Sequence, residues 1–472
     1  LHGRRNTGTE QENPMNDLQK ICLATLFCLL LGACSTAPVS AGADATAEAP
    51  RNLVFMLGDG MGHAYVKAFR MYADDLSTGI VEPLPVDGHL VGSVSTDSII
   101  MECDDLQLNC KRIPHGITDS ASSATAYATG HDTITGRISV DTEGEPLATI
   151  LEGAYRNGKA TGLVSTSQVN HATPAAFASH VISRRQYNDI ADQYFDNQHQ
   201  GAPMVNVMLG GGLQYFQRED RDLVAEFRQA GYGIALDRSG LLELESDRKL
   251  GLFAPVGLPK AWDRDETVPS LAEMTASALQ SLADHPGGFF LLVEGSQIDW
   301  AGHGNSIPGV ISEMEDFMAA VQVVLDFADQ DQQTLIVILA DHETGGMAIG
   351  RDGAGHWNAE PLKGLKATPS GMVGRLLAGD ESLSAIVAES VPFELTPQEI
   401  EALDASGRDE REAFAAVAEI FNERTHTGWT SGGHTGIDVP LYAIGPGSER
   451  FRGVMQNEDV GRVMHEVFLP EK

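Results

Sequence analysis

Asn52-Leu53-Val54-Phe55-Met56-Leu57-Gly58-Asp59-Gly60-Met61-Gly62 is an apolar run that ends in a glycine-rich turn carrying one acid. The apolar residues do not alternate with polar ones. This is the pattern of a strand covered on both faces, as in a parallel sheet, rather than of a half-exposed one. The glycines let the chain turn sharply and let a ligand approach Asp59 closely. Taken alone, Asp59 reads equally well as a turn residue or a helix N-cap.

Working outward, the same apolar signature recurs at Thr161–Thr166, Val205–Leu209, Gly288–Val293, Thr334–Leu339 and Pro440–Ile444. Helical stretches are predicted between these runs at Ser122–Thr129, Leu147–Asn157, Ser183–Asn197, Asp220–Ala230, Ser270–Leu282 and Ile311–Gln330. Strands alternating with helices predict an α/β fold. Residues 360–430 hold Pro, Gly and acidic stretches and read as an irregular insertion or outer subdomain. There is no internal repeat.

Several predicted strands run directly into residues that suit metals. Asp59 follows the first, and His171-Ala172-Thr173 follows Thr161–Thr166. Glu294 and Asp299 follow Gly288–Val293, and Asp341-His342 follows Thr334–Leu339. In an open α/β sheet, ligands bind outside the carboxyl ends of the strands, so parallel strands would bring these residues to one edge. Asp299 and His303 are four apart, which one helical turn places on one face. Carboxylate with imidazole suits zinc, although an exposed polar pair has the same spacing. Glu294 and Asp341-His342 end very apolar strands, where burial without a partner is costly. His434 stands in the glycine-rich Gly432-Gly433-His434-Thr435-Gly436. Arg184 has a planar fork suited to oxyanions, and also fits a surface helix.

Ile117-Thr118-Asp119-Ser120-Ala121-Ser122-Ser123-Ala124 reads as a loop entering a helix. Ser120 would sit near the helix N-terminus, where free N–H groups and the dipole favour an anion. It could be a nucleophile or hold phosphate, or Asp119 and Ser120 could simply cap the helix. The remaining histidines, His180 among them, read as structural or surface residues. His426 invites a check because it lies near His434.

The chain has 472 residues and a formal net charge of −34. That charge argues against a nucleic-acid partner, which needs a Lys/Arg surface. An anionic substrate would need local positive charge, which a bound metal can supply. After Met15 and Lys20 comes an apolar run, Ile21–Leu31, bounded like a secretion signal and too short to span a bilayer. It leads into Leu31-Gly32-Ala33-Cys34, which resembles a bacterial lipoprotein box. Residues 1–33 are expected to be an upstream segment and signal peptide, Cys34 the lipidated residue, and 34–50 a flexible tether. Cleavage after Val39-Ser40-Ala41 is the alternative. Cys103 and Cys110 close a short loop in an exported chain, which favours a disulfide.

Gly58–Gly62, Thr118–Thr125, Ala172–Ala176, Glu294 with Asp299 and His303, Ala340-Asp341-His342 and His434-Thr435-Gly436, in this order, resemble the alkaline phosphatase family. The resemblance covers about residues 51–465. It implies a large central, mostly parallel sheet with helices on both faces, in one catalytic domain over 51–472. It also implies hydrolysis of phosphate monoesters, using two zinc ions and one magnesium. Ser120 matches the nucleophile that becomes phosphoserine. Asp299, His303 and His434 match the ligands of the first zinc. Asp59, Asp341 and His342 match those of the second, which also meets Ser120. Asp59, Thr173 and Glu294 match the magnesium ligands. Arg184 matches the arginine that grips phosphate, and Asp119 the residue that holds it. His171 and Trp300 stand where other members carry Asp and Lys, and a histidine near the third metal could admit zinc in place of magnesium. Family members are often homodimers. A sulfatase of the wider superfamily would carry Cys/Ser-x-Pro-x-Arg, and Ser120-Ala121-Ser122 lacks the proline. Diesterase relatives usually lack the third-metal set that Thr173 and Glu294 fill here. The rival from a different class is a surface lipoprotein that only binds metal or phosphate.

Overall fold

The structure is a computed structural model that describes residues 49–74, 77–78, 80–103 and 110–469. The signal run, Cys34 and nearly all of the tether lie outside the described residues. Ten strands form the main sheet: β1 (Asn52–Leu57), β2 (Leu90–Ser95), β3 (Ala160–Gln168), β4 (Val207–Gly211), β5 (Gly233–Ala235), β6 (Lys249–Leu252), β7 (Phe289–Glu294), β8 (Thr334–Leu339), β9 (Val439–Ile444) and β10 (Gly453–Gln456). Their order is β10-β2-β9-β8-β1-β7-β3-β4-β6-β5. Every neighbouring pair is parallel except the two that involve β9.

The central strands β1, β7 and β8 are buried at every position, which is why their sequences are apolar without alternation. Consecutive residues of a strand point to opposite faces, and Phe289 and Phe290 show what covers each. Phe290 stacks on Phe177 of helix Ala172–Ala178, at 5.5 Å between centroids. Phe289 meets Phe327 of helix Ile307–Asp331, at 5.8 Å. The sheet therefore carries helices on both faces.

Register fixes where the chemistry lies. Leu57 pairs with Glu294 on one side and with Leu339 on the other. The three central strands thus end flush, and Gly58-Asp59, Glu294-Gly295 and Ala340-Asp341-His342 leave the sheet at one edge. Helix Ser120–Thr129 is tied to that edge. Ser123 Oγ donates to the Asp341 carbonyl at 2.8 Å, and the Tyr127 hydroxyl donates to the Ala340 carbonyl at 2.9 Å.

Two expectations are corrected. The region read as irregular over 360–430 holds four helices, Pro369–Ala378, Leu383–Ser390, Pro397–Ala405 and Glu410–Thr425. Two of its prolines open helices rather than break them. Pro369 and Pro397 occupy the first helical position, where the missing N–H costs nothing, behind the caps Thr368 and Thr396. The predicted helix Ser183–Asn197 begins only at Tyr187. The Arg184 N–H instead donates to the Gly136 carbonyl at 2.7 Å, so Arg184 belongs to a loop. Cys103 and Cys110 are disulfide-bonded at the end of the hairpin formed by Asp97–Cys103 and Cys110–Ile117. Among the described residues, no helix is long and apolar enough to cross a membrane.

Candidate metal and phosphate site

Two clusters with metal-ligand chemistry stand at the carboxyl edge of the sheet. Asp299, His303 and His434 form one, and Asp59, Asp341 and His342 form the other. Within each, the potential ligand atoms lie within 4.8 Å of one another.

In the first cluster, Asp299 and His303 sit one turn apart on helix Gln297–His303, with His303 Nε2 3.4 Å from Asp299 Oδ2. His434 reaches in from its loop, 3.8 Å from Asp299 Oδ1. The Nε2 atoms of His303 and His434 face each other at 3.2 Å. Their Nδ1 atoms lie 2.8 Å from the carbonyls of Gly432 and Thr118 respectively. A carbonyl only accepts, so each Nδ1 carries a proton and each Nε2 faces into the cluster, where it can offer a lone pair to a cation once deprotonated; without a cation, the bond to Asp299 raises His303 to about 9. Two imidazole nitrogens facing one another beside a carboxylate suit a shared cation.

The second cluster is fully enclosed. His342 Nε2 lies 3.2 Å from Asp341 Oδ2 and 3.8 Å from Asp59 Oδ1. Ser120 Oγ is 3.3 Å from the same His342 nitrogen. Burial pushes the His342 imidazolium down to about 4, so the ring is neutral. Asp341 Oδ1 accepts the N–H groups of Gly60 and His342, but Asp341 Oδ2 and both Asp59 oxygens have no hydrogen-bond partner. Both Glu294 oxygens and Thr173 Oγ1 are also buried and unpartnered. Burial raises Glu294 to about 8. Burial, followed by the charges of Asp341, Asp299 and Glu294, raises Asp59 well above the carboxylate range. Buried acids without partners are expensive, and cations would resolve the cost. The two nitrogen-and-oxygen clusters fit zinc, and the oxygen-only set of Asp59, Thr173 and Glu294 fits magnesium.

Arg184 stands beside these clusters with its guanidinium held at two points. Nη1 donates to Asp119 Oδ2 at 2.9 Å, and Nη2 lies 3.3 Å from His171 Nε2. The other Asp119 oxygen accepts the N–H groups of Ser122 and Gly136 and the Ser122 hydroxyl. Burial would raise Asp119, but Arg184 and these donors outweigh it and hold the carboxyl down to about 2. His171 is driven to about 3 by burial and then by Arg184, so its Nε2 accepts from the guanidinium. Trp300 packs edge-on against His171 at 5.8 Å. Asp119 does cap the helix that Ser120 opens, so the capping role and the arginine contact coexist in one side chain.

Thr344 is the residue that sequence reasoning missed. Its hydroxyl donates to Asp299 Oδ1 at 2.5 Å and lies 3.2 Å from His342 Nδ1, joining the two clusters. Its position two residues after His342 was the only available signal. His426, in contrast, ends helix Glu410–Thr425 with φ 61° and packs against His356; it belongs to neither cluster.

Comparison with known proteins identifies the family. Residues 50–469 match the family model described as Alkaline phosphatase. Alkaline phosphatase 3 of Bacillus subtilis is 45% identical over 417 residues, 87% of each chain. Alkaline phosphatase 4 of the same organism is 41% identical over 425 residues, 89% of each chain. The crystal structure of a cold-active alkaline phosphatase from a psychrophilic Shewanella superposes with a TM-score of 0.78 at 36% identity, covering 89% of this chain and all of that one. The chain belongs to the alkaline phosphatase family of metal-dependent phosphomonoesterases.

Proposed function

We propose that this enzyme hydrolyses phosphate monoesters to an alcohol and inorganic phosphate through a phosphoserine on Ser120, with two zinc ions and one magnesium. Asp299, His303 and His434 would hold the first zinc. Asp59, Asp341 and His342 would hold the second, and Asp59, Thr173 and Glu294 the magnesium. The observation that carries this reading is Ser120 Oγ, 3.3 Å from His342 Nε2 at the edge of a cluster with orphaned carboxylate oxygens.

When bound, the cations supply the Lewis-acid charge that lowers the serine pKa and stabilises the departing oxygen. The rest falls to the protein. Ser120 opens a ten-residue helix, whose N-terminal N–H groups and dipole favour the phosphate dianion. Ser120 Oγ bonds to phosphorus as the alcohol leaves, and water then cleaves the Ser120–phosphate ester. Arg184 binds the non-bridging oxygens, and Asp119 keeps the guanidinium aimed instead of free to swing. The binding groups address the phosphoryl end, so many leaving groups should be accepted. We further propose an exported lipoprotein anchored through Cys34; homodimer assembly follows from the family resemblance.

Ser120→Ala provides the test. The variant should bind inorganic phosphate yet hydrolyse a chromogenic monoester at least ~10³-fold more slowly. Wild-type turnover should vanish with a chelator and return with zinc. Near-normal turnover in the variant would mean another nucleophile, and a faster wild-type rate on diesters than on monoesters would refute the substrate class.

A further inference from the structure

His180 lies outside both metal clusters, and its surroundings are unusual for an imidazole. Nδ1 is 2.8 Å from the Ser139 carbonyl, and Nε2 is 3.1 Å from Glu152 Oε1. Both neighbours accept hydrogen bonds. A neutral imidazole has one N–H, so either tautomer would point a lone pair at an acceptor. Only the imidazolium satisfies both. The ring and the carboxylate are largely buried, with 13% and 6% of their side chains exposed, so water does little to relieve a mismatch.

This ring sits at the joint that carries Arg184. Ile138 and Val181 exchange backbone hydrogen bonds at 3.0 Å, and the Arg184 N–H donates to the Gly136 carbonyl. The Gly136 N–H in turn donates to Asp119 Oδ1. Ser139, whose carbonyl receives the ring, has φ 42°, a left-handed conformation that costs a non-glycine residue energy and must be held by its surroundings. Helix Ile150–Arg156 supplies Glu152, and behind it Arg156, 3.6 Å from Glu152 Oε2. Helix Tyr187–Asp196 supplies the uncharged Gln193, which fixes the His180 backbone at both N–H and C=O.

We propose that His180 is a positioning residue for the phosphate-binding arginine: its imidazolium clamps the 136–140 loop to the 180–184 segment, and loss of the ring proton loosens Arg184. The inference rests on the phosphomonoesterase reading only for the role of Arg184. The electrostatics point the same way. Burial lowers the ring pKa, but Glu152 and the Ser139 carbonyl outweigh burial and Arg156 and raise it.

The test uses the metal-loaded full chain, with inorganic phosphate as the calorimetric probe. His180→Gln removes the titrating charge. The ratio of its phosphate Kd to that of wild type should be roughly 3- to 30-fold at pH 6–7, the range of couplings transmitted through packed segments. It should fall toward one as the pH rises through the His180 pKa, because wild type then loses the same proton. In 15N-histidine NMR spectra, both His180 nitrogens should be protonated together, and the ring should titrate above the ordinary imidazole value. A ratio that stays flat with pH, or a ring that titrates at or below the ordinary imidazole value, overturns the proposal. Should His180→Gln not fold, Glu152→Gln keeps the ring but lowers its pKa, so the phosphate weakening must begin at lower pH than in wild type; an unchanged onset refutes it. Because binding and ring protonation need no turnover, a wild type that hydrolyses no monoester would fail the proposed function and leave this question still decided.

Discussion

Glu294 offers a sharp test of whether the buried acids exist to hold cations. Both of its oxygens are buried without partners, and in the metal-free protein burial raises its pKa from 4.5 to about 8. The sign follows from linkage. Between those values the folded chain holds a proton that the unfolded chain has released, so stability is full below the unfolded pKa and is lost as pH rises through the folded one. At about 1.4 kcal/mol per pH unit, this one group removes about 4 kcal/mol between pH 5 and 8. For a chain of this size that is roughly 4 °C in Tm. Other groups titrate too. His342 and His171, held down to about 4 and about 3, add stability as pH rises toward the ordinary imidazole value, while His303, raised to about 9 by its bond to Asp299, loses it above that value. A difference measurement removes them. Glu294→Gln stays neutral at every pH, so thermal unfolding of the chelator-treated variant should fall less steeply than that of chelator-treated wild type, by about 4 °C across pH 5–8. In the metal-loaded wild type the carboxylate stays ionised and this slope should be absent. Parallel Tm curves for the two metal-free proteins would refute the idea that Glu294 is an uncompensated acid awaiting a cation.

Thr344→Val removes the hydroxyl that joins Asp299 to His342. It should weaken zinc affinity by about 10- to 100-fold, as outer-sphere partners of ligands do, with competitive chelator titration as the measurement and unchanged affinity as the contrary result. Radioactive palmitate should label the exported protein at Cys34 and leave a Cys34→Ser variant unlabelled; a normally exported but unlabelled wild type would remove the lipoprotein reading.

The central strands were legible because burial on both faces leaves a composition no exposed strand has, as in Leu53–Leu57 and Leu335–Leu339. The strands at the sheet margins were not. Leu90–Ser95 mixes Gly and Ser with Val and is mostly half-exposed, and Gly233–Ala235 is three residues long, so neither gives a periodic signal. The helices of 369–425 were hidden for a different reason. Pro and Thr mark a helix start as readily as a loop, and only the capping geometry at Thr368 and Thr396 separates the two.

Within the site, the division falls between groups that carry chemistry and groups that aim it. Asp59, Glu294, Asp341 and His342 stand out in sequence because ionisable residues at the ends of apolar strands are costly unless something pairs with them. The groups that set their orientation leave no comparable trace. The carbonyls of Thr118 and Gly432 keep Nδ1 of His434 and of His303 protonated and turn each Nε2 to the cluster, yet every residue has a carbonyl. His180 shows the same limit from the other side. Its sequence neighbours give no hint of a charged ring, because the two acceptors that demand a second proton come from Ser139 and Glu152, 41 and 28 residues away. Protonation state is thus a property of the fold rather than of the residue. A reading that stops at ligand identity finds where a metal and a phosphate would sit, but not what keeps Arg184 and the imidazoles aimed at them.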